Sequence, residues 1–216
     1  MLANTFAGTV FGLALLSIPW LLAEPLAQRL GGSPWPASWP WAAQCLLALV
    51  IADFLGYWVH RFEHTSPVLW AYHVVHHDLE RLHILRGTRE HFVTTFVRGG
   101  LIYVPLLLVG APVEALFVYQ TLATTQGSIA HGNLGLMLPA WVHRWILTPP
   151  THRIHHAAER ALSDSNYSSV TPVWDRLFGT FTDPAKVPPP AIGVEGDGVP
   201  RTFLGQLAHP FRTWLS

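Results

Sequence analysis

Three short blocks of this sequence carry imidazoles at helical spacing: His60 with His64, then His73, His76 and His77, then His152, His155 and His156. Residues three and four apart share one face of a helix. Each block is therefore expected to offer two or three rings to one point in space. Imidazole suits iron, zinc, copper or nickel. A catalytic zinc site typically takes three protein ligands, and the eight histidines of the blocks exceed that need. Two metals sharing eight or more nitrogens is the simpler count. Imidazole is neutral and leaves the metals strongly positive, which suits a pair of iron(II) ions that bind O2 and oxidise an unactivated C–H bond. His131, in His131-Gly132-Asn133, and His91, in Arg89-Glu90-His91, are further candidate ligands. Asn133 is placed to hold a metal-bound water. His83, His143 and His209 fit no block and read as surface or structural residues.

Polar residues near the blocks are expected to support them. Asp53 sits in an apolar stretch, where a carboxylate needs a partner. With Tyr57, His60 and His64 it falls at i, i+4, i+7 and i+11, one helix face. Asp53 is expected to turn toward the cluster and accept an N–H from a ligand histidine. Glu63 lies off that stripe and is expected in water. Asp164, Asn166 and Asp175 follow the last block and are expected to orient its rings.

The elements that position these residues look like membrane helices. Half of the 216 residues are hydrophobic and 12% are charged, against about 25% in an ordinary soluble domain. Acidic and basic residues balance at 13 each, which gives no footing for nucleic acid. The lone Cys45 rules out a disulfide within one chain. Apolar runs cover residues 5–27, 41–59, 92–109 and 112–130, about the length that spans or enters a hydrocarbon layer. The last two are parted only by Gly110-Ala111-Pro112, a tight turn between antiparallel helices. Residues 60–91 and 131–183 hold the histidines, and 184–216, rich in Pro and Gly, reads as an irregular tail. The expected fold is all-α: a single membrane domain over 1–216, a bundle of about four spanning or hairpin helices under a histidine-rich helical cap. Arg29 is the only Lys or Arg in or next to the presumed outer loops, and the others lie from Arg61 onward. This bias puts the cap and the C-terminus in the cytoplasm of a multi-pass protein.

The ordered text D-F-L-G-Y-W-V-H-R-F-E-H from Asp53, W-A-Y-H-V-V-H-H from Trp70, L-R-G-T-R-E-H-F, H-G-N, T-H-R-I-H-H and D-S-N-Y-S-S-V-T-P-V-W-D-R-L-F-G-T-F resembles the fatty acid hydroxylase superfamily, also called the sterol desaturase family. The resemblance runs from about Asp53 to Asp183. It implies a di-iron site on His60, His64, His73, His76, His77, His152, His155 and His156, with His131 at the intermediate His-x-Asn position and His91 at the Arg-x-His position. It implies an O2-dependent enzyme that hydroxylates or desaturates a C–H bond of a lipid or sterol-like substrate. Electrons are expected from a separate protein of the ferredoxin or cytochrome b5 type with its reductase, since no cytochrome b5-like segment is present. The chain departs from the pattern at Asn166-Tyr167-Ser168, where Gly is common in the third place. Two rival functions are a membrane zinc hydrolase and a histidine-rich metal transporter or sensor. The first wants a carboxylate base beside the metal, and no His-Glu-x-x-His occurs. The second wants ligands along a path through the bilayer, whereas these histidines gather at one face.

Overall fold

The computed structural model describes residues 33–87, 89–134, 138–196 and 198–215, with Pro25 and Arg29 before them. The first apolar run, 5–27, lies outside the described residues apart from Pro25. Among the described residues the structure is all-helical, with no strand beyond one isolated bridge between Ala157 and Ile192. Helix α1 spans Trp41–Thr65 and α2 spans Pro67–His77. The break between them is dictated locally. Pro67 disfavours helical backbone at the residue before it, so Ser66 is extended, and its hydroxyl caps α2 by accepting from Leu69 N at 3.4 Å. The chain thus folds back, and the end of α1, with His60 and His64, faces the histidines of α2.

Helices α3 (Phe92–Leu108) and α4 (Val113–Ala130) form the expected hairpin. Gly110 turns it with φ +82°, and a Cβ there would meet Ser33 Oγ at 1.9 Å. Ser33 Oγ and Trp35 N both donate to Val109 O, tying the segment before α1 to the hairpin tip. The core lies where α1 meets the hairpin: Ala48, Ala52 and Val59 pack with Ile102, Leu106, Ala115, Leu116 and Tyr119. Ala48, Ala52 and Gly56 fall four residues apart, a smooth stripe that lets α4 approach. A Cβ on Gly56 would stand 3.0 Å from the Tyr119 hydroxyl oxygen.

The exposed faces of α1 and α3 are largely apolar, as with Leu46 and Val50 on α1 and Phe96 and Leu101 on α3, while α4 exposes Phe117 and Leu122 together with Gln120, Thr121 and Thr125. Among the described residues α1 is the one helix long and apolar enough to cross a membrane. Helix α3 is apolar but has 17 residues, about 26 Å at 1.5 Å per residue. Helix α4 has 18 residues, with Gln120, Thr121, Thr124, Thr125 and Gln126 among them.

Short helices complete the cap: α5 (Pro149–His155), α6 (Arg160–Ser163) and α7 (Val173–Leu177). The tail is irregular only to Thr202. Phe203–Leu215 forms helix α8, which packs on α2 through Tyr72 against Phe211 and Trp214. The proline-dense text ends at Pro200, and from there Phe203, Leu207, Phe211 and Trp214 recur at helical spacing, a signal masked by the composition before it.

Candidate metal centre

The cap brings nine imidazoles into two adjacent groups. One nitrogen from each of His60, His64, His73, His77 and His155 lies within 4.8 Å of the others, and His76, His131, His152 and His156 form a second group by the same measure. Nitrogens bound to one ion at about 2.1 Å lie up to about 4.2 Å apart, so each group is close in size to one coordination sphere. The groups abut, with the rings of His77 and His156 stacked at 4.4 Å between centroids.

The distribution differs from one point per block. Helix α2 gives His73 and His77 to the first group and His76 to the second. Helix α5 and its cap residue do the reverse, giving His152 and His156 to the second and His155 to the first. With 3.6 residues per turn, positions i and i+4 point about 40° apart, while i+3 and i+4 diverge by about 100°. Each His-x-x-His-His block therefore serves both groups.

Hydrogen bonds fix which nitrogen faces inward. Nδ1 of His60 donates to Tyr167 O (2.6 Å), of His155 to Ser165 O (2.8 Å), of His131 to Gly127 O (2.7 Å), of His76 to Arg89 O (3.3 Å), and of His64 to Asp164 Oδ1 (3.0 Å). A neutral ring carries one N–H, so Nε2 of each presents a lone pair. Nε2 of His76 and of His131 face each other at 3.2 Å, two acceptors with no proton between them. Nε2 of His155 is buried with no partner. Orphaned lone pairs converging on one point are what a cation satisfies, so the residues fit a metal in each group. Burial holds His73, His76, His77, His152, His155 and His156 well below the usual imidazole range and lowers His131 to about 4. Neutral imidazole is the ligating form.

The supporting carboxylates are arranged otherwise than their sequence positions suggest. Asp164 serves His64 of the first block rather than the last. Burial raises its pKa, but the bond from His64 and the charge of Arg160 outweigh this and leave it below the ordinary carboxylate range. Asp175 touches no imidazole. Its carboxylate accepts from Tyr167 N (2.8 Å), Ser168 N (2.9 Å) and Thr180 Oγ1 (2.7 Å), shaping the loop whose Tyr167 carbonyl holds His60. Asn166, at φ 56°, staples that loop to Thr151 O and Thr182. Asp53 takes no imidazole N–H. It accepts from Val170 N (3.1 Å) and Trp174 Nε1 (3.2 Å), because seven residues of helix place it about 10 Å below His60, level with the segment after the loop.

Glu63 is not in water. It is 2% exposed, accepts from Arg98 Nη2 at 2.5 Å, and its Oε2 lies 3.6 Å from His73 Nδ1. Arg98 also donates to Glu90 at 2.6 Å. The signal for this cluster was Arg98 itself, a guanidinium in an apolar run that needs a buried partner. His91 stands outside both groups: Nδ1 accepts from Val93 N (3.2 Å), capping α3, and Nε2 faces Leu207 O at 3.4 Å. Asn133 is exposed and also outside the groups. His83 caps a short turn, His143 bonds Thr148 Oγ1 at 2.7 Å, and His209 lines a separate surface cavity.

A cavity of about 420 Å³ opens beside the histidines. His60 of the first group and His76, His131 and His152 of the second line its inner end, and it runs out between α3 and α4 past Ile102, Tyr103 and Gln120. This volume is in the range of small-molecule sites.

The sequence pattern of the fatty acid hydroxylase family matches residues 45–180. An ornithine lipid hydroxylase of Rhizobium tropici is 35% identical over 204 residues, covering 94% of this chain and 60% of that protein. Alkylglycerol monooxygenases of Danio rerio (31% identical, 68% of this chain, 32% of the relative) and Homo sapiens (29%, 71% and 33%) are also similar. The chain thus spans three fifths of the first relative and about a third of the other two. No solved structure matches.

Proposed function

Because this chain belongs to the fatty acid hydroxylase family, we propose that it is an O2-dependent membrane oxidoreductase that hydroxylates, or desaturates, a C–H bond of a lipid. The observation that carries this reading is the pair of abutting imidazole groups, with facing lone pairs, at the end of a cavity that opens between apolar-faced helices. The first metal would be held by His60, His64, His73, His77 and His155, the second by His76, His131, His152 and His156. A pair of irons bound there would supply the reduction of O2 that C–H oxidation requires.

The chain's own residues do the rest. Carbonyls of Tyr167, Ser165, Gly127 and Arg89, with Asp164, lock five rings in the tautomer that turns Nε2 inward. The cavity offers a substrate carbon a route to both groups, and proximity of that kind is a large part of catalysis. Hydroxylation consumes O2, two electrons and two protons and releases water, so a one-electron carrier protein of the ferredoxin or cytochrome b5 type is the proposed partner. The exposed apolar faces of α1 and α3 support a bundle that enters the bilayer, and the basic residues from Arg61 onward support placing the cap and C-terminus on the cytoplasmic side.

The test joins metal analysis to lipid profiling. Purified protein is expected to hold two irons and to consume O2 when lipid and reductant are supplied. Lipids from cells with and without the gene are expected to differ by one oxygen gained or two hydrogens lost. A single tightly held zinc with hydrolysis of lipid, or no O2 uptake from the iron-loaded protein, would overturn the proposal.

A further inference from the structure

Helix α8 is oriented against the usual rule for a helix in water. It buries Gln206, 6% exposed, and Pro210, yet leaves Leu204 74% exposed, with Phe203, Phe211 and Trp214 exposed as well. At about 100° per residue, Phe203, Leu204, Leu207, Phe211 and Trp214 fall within roughly 100° of arc. A stripe of that width is what a helix ordinarily turns toward a core. Phe211 and Trp214 each meet Tyr72 of α2, with ring centroids 6.4 and 5.4 Å apart, and both still stay exposed.

The place of α8 in the fold indicates what covers this stripe. His91, the residue before α3, holds the helix. Its Nδ1 accepts from Val93 N, so the ring proton sits on Nε2 and donates to Leu207 O at 3.4 Å. The ring also lies 4.9 Å from that of Tyr72 and stacks on Phe92 at 4.8 Å. Helix α8 is thereby pinned to the end of α3 that joins the cap, where α3 starts with exposed Phe92 and, one turn on, Phe96. The other end of α3 reaches the Gly110 turn beside Ser33 and Trp35. So α8 sits at the level where the apolar hairpin begins. Its border residues suit that level. Tryptophan favours the boundary between headgroup and acyl chain, and Arg212 is exposed at the margin of the stripe, where a long cationic side chain reaches phosphate headgroups.

We propose that α8 lies flat on the cap side of the bilayer, with Leu204, Phe211 and Trp214 set among the headgroups and upper acyl chains. The occupant of its bare face is lipid. The inference rests on the reading that α1 and α3 enter the membrane, and adds an in-plane contact to it. Helices of this kind bind through buried apolar area and through charge. His91 then has a task other than holding metal: it ties the in-plane helix to the entering one.

The experiment reads depth, not activity. Full-length protein carrying Cys45→Ser receives one new cysteine at a time: Leu204→Cys or Phe211→Cys on α8, Leu46→Cys on the exposed face of α1, and Lys186→Cys on the exposed surface of the cap. Each is labelled with a nitrobenzoxadiazole dye and placed in nanodiscs of phosphatidylcholine and phosphatidylglycerol. Quenching by doxyl-labelled lipid is compared with quenching by iodide in the water. Dyes at 204 and 211 are expected to lose more emission to doxyl lipid than to iodide, as at 46, with the reverse order at 186. Iron content and melting temperature on the same samples show that the variants fold. Iodide-dominated quenching at 204 and 211, with 46 still reading lipid, would overturn the inference. Shielding of both α8 dyes from both quenchers would overturn it too, because protein would then cover the stripe. Iodide-dominated quenching at 46 would instead overturn the membrane reading on which the inference rests.

Discussion

The two imidazole groups are built from the same helices but supported differently. The five-ring group, with His60, His64, His73, His77 and His155, leans on the 164–168 loop: Asp164, Ser165 and Tyr167 each accept from one of its rings. The four-ring group leans on two carbonyls: His131 Nδ1 donates to Gly127 O within α4, and His76 Nδ1 to Arg89 O. Three of its four rings line the cavity, against one of the five-ring group. Under the proposed function the difference would divide the tasks: the richer, loop-braced group would be the more enclosed, while the poorer group, with more of its rings on the cavity, would have room for an exchangeable ligand.

The largest effects should come from removing one ring from each side. His155→Ala in the five-ring group and His76→Ala in the four-ring group are both expected to drop hydroxylation below detection while membrane insertion stays intact. Each should lose iron, measured per chain by elemental analysis. Full activity in either variant removes that residue from its group. Next, Asp164→Ala is expected to weaken iron retention about 10–100-fold, the usual cost of losing a ligand's hydrogen-bond partner. The loss should fall on one of the two irons, because the carboxylate touches the five-ring group alone. Equal loss of both would erase the distinction drawn between the groups.

Acid should expose the burial that both groups share. His131 has its pKa lowered to about 4, so between the ordinary imidazole value near 6.5 and about 4 the unfolded chain binds more protons than the folded one. Stability then rises with pH across that window. The contribution is complete above about 6.5 and is lost as pH falls toward 4. Metal-free protein should unfold at lower denaturant at pH 5 than at pH 7.5, and a constant midpoint would mean that the rings are hydrated. The smallest effect expected is from Thr148→Ala. Thr148 caps α5, accepting from Thr151 N at 3.5 Å, and losing such a cap costs about 1 kcal/mol. Because α5 feeds both groups, the lower melting temperature should come with equal, slight changes in the two irons.

Much of this was legible in the sequence because helical spacing is local information. The blocks at 60–64, 73–77 and 152–156, the hairpin at Gly110-Ala111-Pro112 and the helical class all follow from periodicity and turn residues. What spacing cannot supply is which rings of different blocks meet, or the partner across space. His76 and His77 are neighbours in the chain yet serve different groups, which only the meeting of α2 with α5 decides. Asp53 found Val170 and Trp174, and Glu63 found Arg98, through contacts more than thirty residues apart in the chain. The α8 helix was hidden behind proline-rich text, and the apolar run 5–27 lies outside the described residues apart from Pro25.

Consecutive residues on α2 reach into neighbouring imidazole groups, and so do His155 and His156 at the end of α5. The distance between the two imidazole groups is therefore gauged by covalent helix geometry, with its fixed rise and turn per residue, and not by the reach of flexible side chains. Neither helix can slide or roll to retune one imidazole group without displacing the other. The spacing behaves as a rigid ruler, copied twice from opposite walls.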